Sequence, residues 1–366
     1  MCSIPTVSIA SKNLPEISAV SYYDVLLLKG LALLMMVFHH CFAVPVWYVD
    51  VPDFFQCDWW IVGGRVAKQC VGIFAFLSGW VYWHHQNKSW KYSVSKIISF
   101  LLLYWCAFAL IAGIAYFFCS WRPELLSDVL RELFPVNLHP LMFFAWYVWF
   151  YIQMMLIFPL YHRIECLENR WGRWVCYITG LLVMVLLCSH FPVFRDLAWF
   201  AFVLLGYWVA RRRVLEKIKQ FLLRVNYGKT IIACFSIGLA LILFLDIHMN
   251  SFTGRGPWCL LSPFFLVTGV MIFLSIYRMF YLRKLLIFFG KHSVNIWFLH
   301  SLFFSPETRH VMQKYFFVST NPLGVYLSVL LFSLCLSIVL TPFQKWVQNM
   351  CRPIISCIKV RSFETK

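Results

Sequence analysis

Ten long apolar runs, separated by short polar segments, constrain this chain more than any other feature of its sequence. A run of about 20 apolar residues is the length that crosses a bilayer as a helix. The chain has 366 residues, 61% of them apolar and 13% charged, whereas soluble domains average ~45–50% apolar and ~25% charged residues. We therefore predict an all-α polytopic membrane bundle of about ten transmembrane helices. The predicted spans are Val25 to Trp47, Ala67 to Trp83, Val94 to Phe118, Leu141 to Tyr161, Trp174 to Ser189, Leu197 to Ala210, Thr230 to Ile247, Trp258 to Tyr277, Leu285 to Phe304 and Leu323 to Trp346.

The segments outside these runs are too short for a second domain. Residues 1–24 contain no apolar stretch, so we expect a cytoplasmic N-terminal segment without a cleavable signal peptide. Residues 25–347 form the predicted transmembrane domain, and residues 348–366 form a basic cytoplasmic tail. Function must then reside in the bundle or at its two faces.

Basic residues are distributed unevenly between the two sides that ten spans create. The side that holds both termini has 22 Lys and Arg residues, and the other side has eight. The positive-inside rule then places both termini in the cytoplasm. The formal net charge of +17 is therefore attributed to topology and contact with the lipid bilayer, and not to nucleic-acid binding.

The segment from Ala210 to Lys229 is strongly basic and predicts an amphipathic helix on the cytoplasmic surface. Anchoring on anionic lipid explains such a helix, and so does a basic rim that collects a polyanionic cytosolic ligand. The sequence leaves both explanations open. Arg211, Arg212 and Arg213 are the candidates for binding a ligand.

Most of the fourteen cysteines lie inside apolar runs and show no C-x-x-C pairing, so we expect them to act as small apolar side chains. Cys57 and Cys70 form the one pair that could meet on the outer side. A disulfide between them is an open alternative.

Lys29 and His40 lie within the first predicted span, where ionisable groups are costly and mark candidate sites. Eleven residues of helix bring them to one face, ~16 Å apart, whereas His39 faces about 100° away from His40. The alternative explanations are snorkelling of Lys29 and a hydrogen bond from His40 to a neighbouring helix. His300 lies at a similar depth in the ninth span, and Asn295 is a second polar residue there. Two histidines at matched depth could converge on one cavity.

Several chemistries lack their motifs. The eleven histidines show neither H-x-x-x-H nor H-E-x-x-H spacing, which argues against a di-iron desaturase or a zinc protease, so we expect no metal. No G-x-S-x-G, Walker A or dinucleotide-binding motif occurs either.

The string KGLALLMMVFHH resembles the first-span motif of the integral-membrane acyltransferases of family 3, which acylate bacterial surface glycans. That motif is an Arg, ten residues and a His, and here Lys29 and His40 occupy the two ends. VGIFAFLSGWVYW, which contains Ser78, resembles the second-span motif. FVLLGYWVARR and FGKHSVNIWFLHS are similar to later motifs, and the second of these places His300 at the closing His.

The fourth run, WYVWFYIQMMLIFP, begins at Trp146 and carries Gln153 where many family members have Gln. Many members also have Glu-Glu just before that Gln, where this chain has Tyr151 and Ile152. A role for that acid therefore cannot be transferred. The resemblance covers roughly residues 22–350.

The resemblance implies that an acyl group, most often acetyl, moves from cytosolic acetyl-CoA to a hydroxyl of a cell-surface or lipid-linked glycan at the bacterial inner membrane. Histidine suits the role of general base at neutral pH, and His40 is the candidate. His300 is a second catalytic candidate, and Lys29 would bind a phosphate of coenzyme A. Further site candidates are His39, Ser78, Trp146, Tyr151, Gln153 and Asn295. The partners expected are acyl-CoA, the glycan or lipid-linked sugar acceptor, the bilayer and polysaccharide-synthesis machinery.

Two alternatives belong to other functional classes. A transporter of a lipid-linked sugar or anionic metabolite would use a similar polar cavity without chemistry and would tolerate loss of His40. A scaffold within a polysaccharide-synthesis complex would need neither Lys29 nor His40.

Overall fold

The computed structural model describes residues 21–85, 89–119, 121–123, 126–134, 141–142, 144, 146–191, 197, 199–224, 228–250, 261–277, 279–317 and 321–360, and this part of the chain is helical without strands. The α-helices are α1 (Tyr22–Phe42), α2 (Asp58–Ala67), α3 (Gln69–His84), α4 (Trp90–Phe118), α5 (Leu126–Leu133), α6 (Trp146–Glu165), α7 (Arg170–His190), α8 (Phe200–Arg211), α9 (Val214–Arg224), α10 (Lys229–Asn250), α11 (Ser262–Ile276), α12 (Phe280–Leu299), α13 (Arg309–Phe316) and α14 (Pro322–Val360). Short 3₁₀ turns occupy Pro45–Trp47, Asp53–Gln56 and His300–Phe303.

A helix lies on each of the ten predicted spans, and the all-α membrane-type bundle is confirmed. Among the residues that the structure describes, five stretches are both long and apolar enough to cross a bilayer: Tyr22–Phe42, Asp58–His84, Trp90–Phe118, Arg170–His190 and Pro322–Pro353. The total of ten spans and the cytoplasmic position of both termini stay predictions.

The helix α7 shows why this bundle needs an apolar environment. It has 21 residues and buries none of its side chains, and leucines and valines such as Leu182 and Val185 are more than half exposed. The helix touches α6 through Tyr177, but an apolar helix of this length with most of its surface exposed requires lipid around it.

Helix ends differ from the ends of the apolar runs in several places. The helix α1 ends at Phe42 and not at Trp47, because Pro45 has no N–H for a helical bond and starts a 3₁₀ turn. The helix α6 starts at Trp146 and not at Leu141, and α12 gives way to a 3₁₀ turn at His300. Apolar residues continue past each of these ends, so composition alone misplaces them.

The helices α1 and α12 run side by side in the same direction. At their start, the carboxylate of Asp24 both caps α1 through Ser21 and accepts a hydrogen bond from Arg283 at 2.9 Å. Along the contact, a Cβ atom at Gly30 would overlap the carbonyl oxygen of Leu286, and one at Gly290 would overlap that of Leu26. The absence of these two side chains brings the helix backbones into contact.

The helices α3 and α8 pack in the same way through Gly79 and Gly206. A Cβ at either position would overlap a backbone carbonyl, of Val203 or of Phe76. We call the end of the bundle that carries Asp24, His84 and Arg211 the basic end. It is the end that the charge distribution predicts to be cytoplasmic.

Candidate active site

His40 and His300 meet at the end of the bundle opposite the basic end. His40 lies in the last turn of α1, and His300 follows directly after α12, so the parallel packing of these helices sets both at one depth. His300 Nε2 is 2.7 Å from His40 Nδ1. His300 is fully buried and His40 is 8% exposed. The structure thus brings together the two histidines that their matched depth had singled out.

The remaining contacts of this pair determine where its protons lie. His300 Nδ1 is 3.3 Å from the carbonyl oxygen of Ile296, which can only accept, so this nitrogen carries the proton. In neutral His300 the Nε2 atom is then an acceptor, and His40 Nδ1 donates to it. His40 Nε2 is left without a proton, as a general base requires.

Two aromatic side chains cover the histidine pair. The ring of Phe144 stacks on His40, with centroids 3.9 Å apart, and on His300 at 4.9 Å. Trp47, in the 3₁₀ turn after α1, lies 5.5 Å from the His40 ring and 5.4 Å from Phe144. The pair is therefore screened from bulk water on this side by apolar rings.

Glu132 holds the segment that carries Phe144, and sequence reasoning missed this role. Its two carboxylate oxygens accept hydrogen bonds from the backbone N–H groups of Leu141 and Met142 at 3.3 and 3.2 Å. On the other side of the segment, Ser305 Oγ donates to the carbonyl oxygen of Leu141 at 2.7 Å. Glu132 is buried although it lies outside the ten apolar runs. An acid within the amphipathic pattern of α5 gives no signal of such a contact.

His39 is directed away from the pair and towards α2. Its Nδ1 atom lies 2.8 Å from the carbonyl oxygen of Gly64. A Cβ atom at Gly64 would overlap the backbone of Phe42 and Ala43, so α2 packs directly on the end of α1. His39 thereby ties α2 to α1.

Lys29 lies between the basic end and the histidine pair. It is half-buried and makes no hydrogen bond or ion pair with any residue that the structure describes. The charge that acts on it is that of Lys96 on α4, and this charge is also positive. A second positive charge this close favours an anionic ligand beside Lys29.

The three arginines at the end of α8 differ in their surroundings. Arg211 forms an ion pair with Glu165 at the end of α6, and its guanidinium lies 5.9 Å from the ring of Trp83. Arg212 and Arg213 are exposed, and Arg213 has a φ of 50°, which turns the chain into α9. The predicted amphipathic segment is therefore a turn followed by a shorter helix, Val214–Arg224.

The other candidates are distributed along the bundle interior. Ser78 Oγ donates to the carbonyl oxygen of Phe74 at 2.8 Å. On α6, Trp146 is the first helical residue, the ring of Tyr151 packs 4.4 Å from Phe100, and Gln153 is buried.

The Asn295 side chain is hydrogen-bonded between helices. Its side chain and that of Gln344 on α14 exchange two hydrogen bonds, at 2.7 and 2.8 Å, and it also donates to Thr341. Gln344 donates in turn to the carbonyl oxygen of Leu103 on α4 at 3.2 Å. Asn295 thus joins α12 to α14 and α4 and has little capacity left for a ligand.

The cysteine pair does not form. Cys57 precedes α2 and is exposed, Cys70 lies buried in the first turn of α3, and both are free, because the whole length of α2 separates them. Within the described ranges no three His, Cys, Asp or Glu side chains lie close enough together to hold a metal ion.

Comparison with known proteins gives one result. No curated protein and no solved structure matches the chain. The family model for the acyltransferase domain, that of acyltransferase family 3, matches residues 22–342, which include α1 with His40, α12 with His300 and most of α14. The chain belongs to acyltransferase family 3.

Proposed function

We propose that this membrane acyltransferase transfers an acyl group, acetyl in the simplest case, from cytosolic acyl-CoA to a hydroxyl of a cell-surface or lipid-linked glycan, with His40 as general base. The observation that carries the proposal is the hydrogen bond of 2.7 Å between His300 Nε2 and His40 Nδ1. Together with the contact of His300 with Ile296, it leaves His40 Nε2 free to accept a proton. The site of action is the bacterial inner membrane.

The reaction needs one proton acceptor and two aligned substrates. The hydroxyl oxygen of the acceptor attacks the thioester carbon while its proton passes to His40 Nε2. The carbon–sulfur bond then breaks, and the proton leaves with coenzyme A as its thiol. His300 holds the His40 ring in orientation and does not itself touch the substrate.

The spacing of the polar groups fits a donor that enters from the basic end. Lys29 and His40 are eleven residues apart on α1, or ~16 Å along a helix, which is on the order of an extended pantetheine arm. Lys29 with Lys96 would hold phosphate of the donor, and Arg212 and Arg213 would attract it to the entrance. The thioester then reaches His40 while the nucleotide stays at the basic end.

The decisive experiment replaces His40 by Ala and measures acyl transfer in membranes that contain equal amounts of protein. Loss of a general base lowers the rate by ~10²–10⁴-fold, while insertion and donor binding are retained. His39→Gln, on the neighbouring position, is the matched control and should keep most activity. Wild-type acylation by the His40→Ala variant would contradict the mechanism and favour the transporter.

The donor is tested at Lys29. The purified protein should bind acetyl-CoA with an affinity that falls as salt rises, because charge contacts near an entrance are screened. Lys29→Glu should weaken binding further, and Lys29→Arg should preserve or strengthen it, since guanidinium binds phosphate in a bidentate manner. Equal binding by the Glu variant would remove Lys29 from the site.

A further inference from the structure

The hydroxyl of Tyr147 is a buried polar group that the mechanism above does not use. It lies on α6 and makes no hydrogen bond with the described residues. The hydroxyl of Ser78 is a hydrogen-bonding neighbour of Tyr147, but its own proton goes to the carbonyl oxygen of Phe74 at 2.8 Å, and no hydrogen bond of normal geometry joins the two hydroxyls. A buried hydroxyl that forms no hydrogen bond of normal geometry is unfavourable, so its presence points to a ligand that satisfies it.

The neighbours of Tyr147 fix its depth in the bundle. Its ring meets that of Trp297 edge to face at 5.2 Å, and Trp297 lies three residues, or ~4.5 Å, before His300 on α12. In the sequence, Tyr147 follows three residues after Phe144, which stacks on the histidine pair just before α6 begins. Tyr147 therefore lies about one helical turn from the pair.

Tyr147 lies on the side of the histidine pair that faces the basic end. Gly30, next to Lys29, contacts Gly290 on α12, so α12 passes the level of Lys29 first, then that of Tyr147 at Trp297, and finally the histidine pair at His300. The hydroxyl thus lies on the donor's side of the base, between the place proposed for phosphate and the place of acyl transfer.

We infer that the Tyr147 hydroxyl donates a hydrogen bond to the thioester sulfur of the donor, which makes Tyr147 a catalytic residue of the proposed reaction. With the thioester carbon at His40 and the rest of the donor extending towards Lys29, the sulfur is the atom that faces this level. As the carbon–sulfur bond breaks, negative charge develops on sulfur, and a hydroxyl donor stabilises it. No proton is transferred from tyrosine, so its role ends when the thiol forms with the proton from His40.

The inference rests on the proposed function and is tested with Tyr147→Phe, which removes one oxygen and keeps the ring. Tyr207→Phe is the matched control, because Tyr207 also has a buried hydroxyl without a hydrogen-bond partner in the described part of the chain, but lies near the basic end beside Trp83. We expect kcat to fall by ~10-fold or more in the Tyr147 variant, with KM for acetyl-CoA within about twofold of wild type and with Tm unchanged or higher. The Tyr207 variant should keep kcat.

Two outcomes would overturn the inference: a Tyr147→Phe variant with wild-type kcat, or one in which kcat and Tm fall while KM rises, as a packing role would produce. A second measurement does not depend on that variant. Fluorotyrosine placed at position 147 should show a ¹⁹F resonance that shifts when acetyl-CoA is added, and the same label at 207 should shift less; no shift at 147 also overturns it.

His40→Ala is assayed in parallel, so that a failure of the proposed function can be distinguished from a failure of the role of Tyr147. If His40→Ala retains acylation, the proposed function is wrong. If His40→Ala is inactive and Tyr147→Phe is fully active, only the role of Tyr147 is wrong.

Discussion

His300 determines which ring nitrogen of His40 carries the proton. Because its Nδ1 faces the carbonyl oxygen of Ile296 at 3.3 Å, its Nε2 accepts from His40 Nδ1. A side chain that only filled the same volume would leave His40 free to adopt the other tautomer, in which Nε2 carries the proton and cannot act as a base.

This argument separates two variants at position 300. His300→Ala leaves the Nδ1–H group of His40 buried without an acceptor, and we expect a lower kcat, though a smaller loss than in His40→Ala. His300→Gln offers an amide oxygen near the position of Nε2 and should restore part of the activity. Acyl transfer measured on equal amounts of the two proteins tests this; a Gln variant no better than Ala would mean that His300 only fills space.

At this scale the sequence predicted that the two histidines could converge, which the structure shows, but it did not predict their surroundings. The depth of His40 and His300 follows from counting residues along two apolar runs. Glu132 and Phe144 could not be found in the same way, because the segment between α5 and α6 has no periodicity and its position depends on hydrogen bonds to backbone groups. Asn295 was predicted as a site residue since it is polar within a span, yet its amide is bonded to Gln344 on α14, which in turn bonds α4.

At the scale of elements, the segment that carries Phe144 covers the histidine pair, and we call this segment the cover. Glu132 holds the cover in position. In Glu132→Gln, one oxygen becomes an NH₂ group that faces a backbone N–H of Leu141 or Met142 and cannot accept from it. We expect the cover to loosen and water to reach His40, so that hydrolysis of acetyl-CoA rises relative to transfer. Asp128→Asn, on the same helix α5, should leave this ratio unchanged.

Phe144→Ala should produce the same change as Glu132→Gln, because both open one cover. The measurement is the release of coenzyme A with and without an acceptor. An unchanged ratio in both variants would show that the cover does not exclude water.

The contact between α1 and α12 depends on two glycines. In Gly30→Ala or Gly290→Ala, the new Cβ overlaps a carbonyl oxygen of the facing helix, so the helices must separate. Overpacking of this kind costs about 1–3 kcal/mol and would also lengthen the hydrogen bond between His40 and His300. Gly113→Ala on α4 is the control, because a Cβ there meets nothing within 4 Å and alanine favours a helix by about 1 kcal/mol.

Thermal unfolding in one detergent, together with acyl transfer at a temperature where all variants are folded, tests this contact. The Gly30 and Gly290 variants should melt lower and transfer more slowly, and the Gly113 variant should melt at the same temperature or higher. A Gly30→Ala protein as stable as the Gly113→Ala protein would contradict the close contact.

For the whole molecule, the sequence predicted the architecture well because bilayer thickness fixes the length of an apolar helix. Which helices pair could not be predicted, because α1 and α12 are more than two hundred residues apart in the chain and their contact depends on backbone shape at single glycines. The resulting arrangement places cations at one end and the covered histidine pair near the other. A donor from one side and an acceptor from the other could then meet at His40.

That arrangement requires a definite topology, which the count of 22 basic residues against eight predicts. In a variant from which all fourteen cysteines are removed, a single cysteine at Arg212, after α8, should react with a membrane-impermeant maleimide only from the cytosolic side. A single cysteine at Asp128, in α5, should react from the outside in intact cells. Both should react after permeabilisation, which controls for access. Reaction of both positions from one side would contradict the ten-span topology. Arg211 at the basic end and the histidine pair would then share one side of the membrane, so donor and acceptor would not approach from opposite ends.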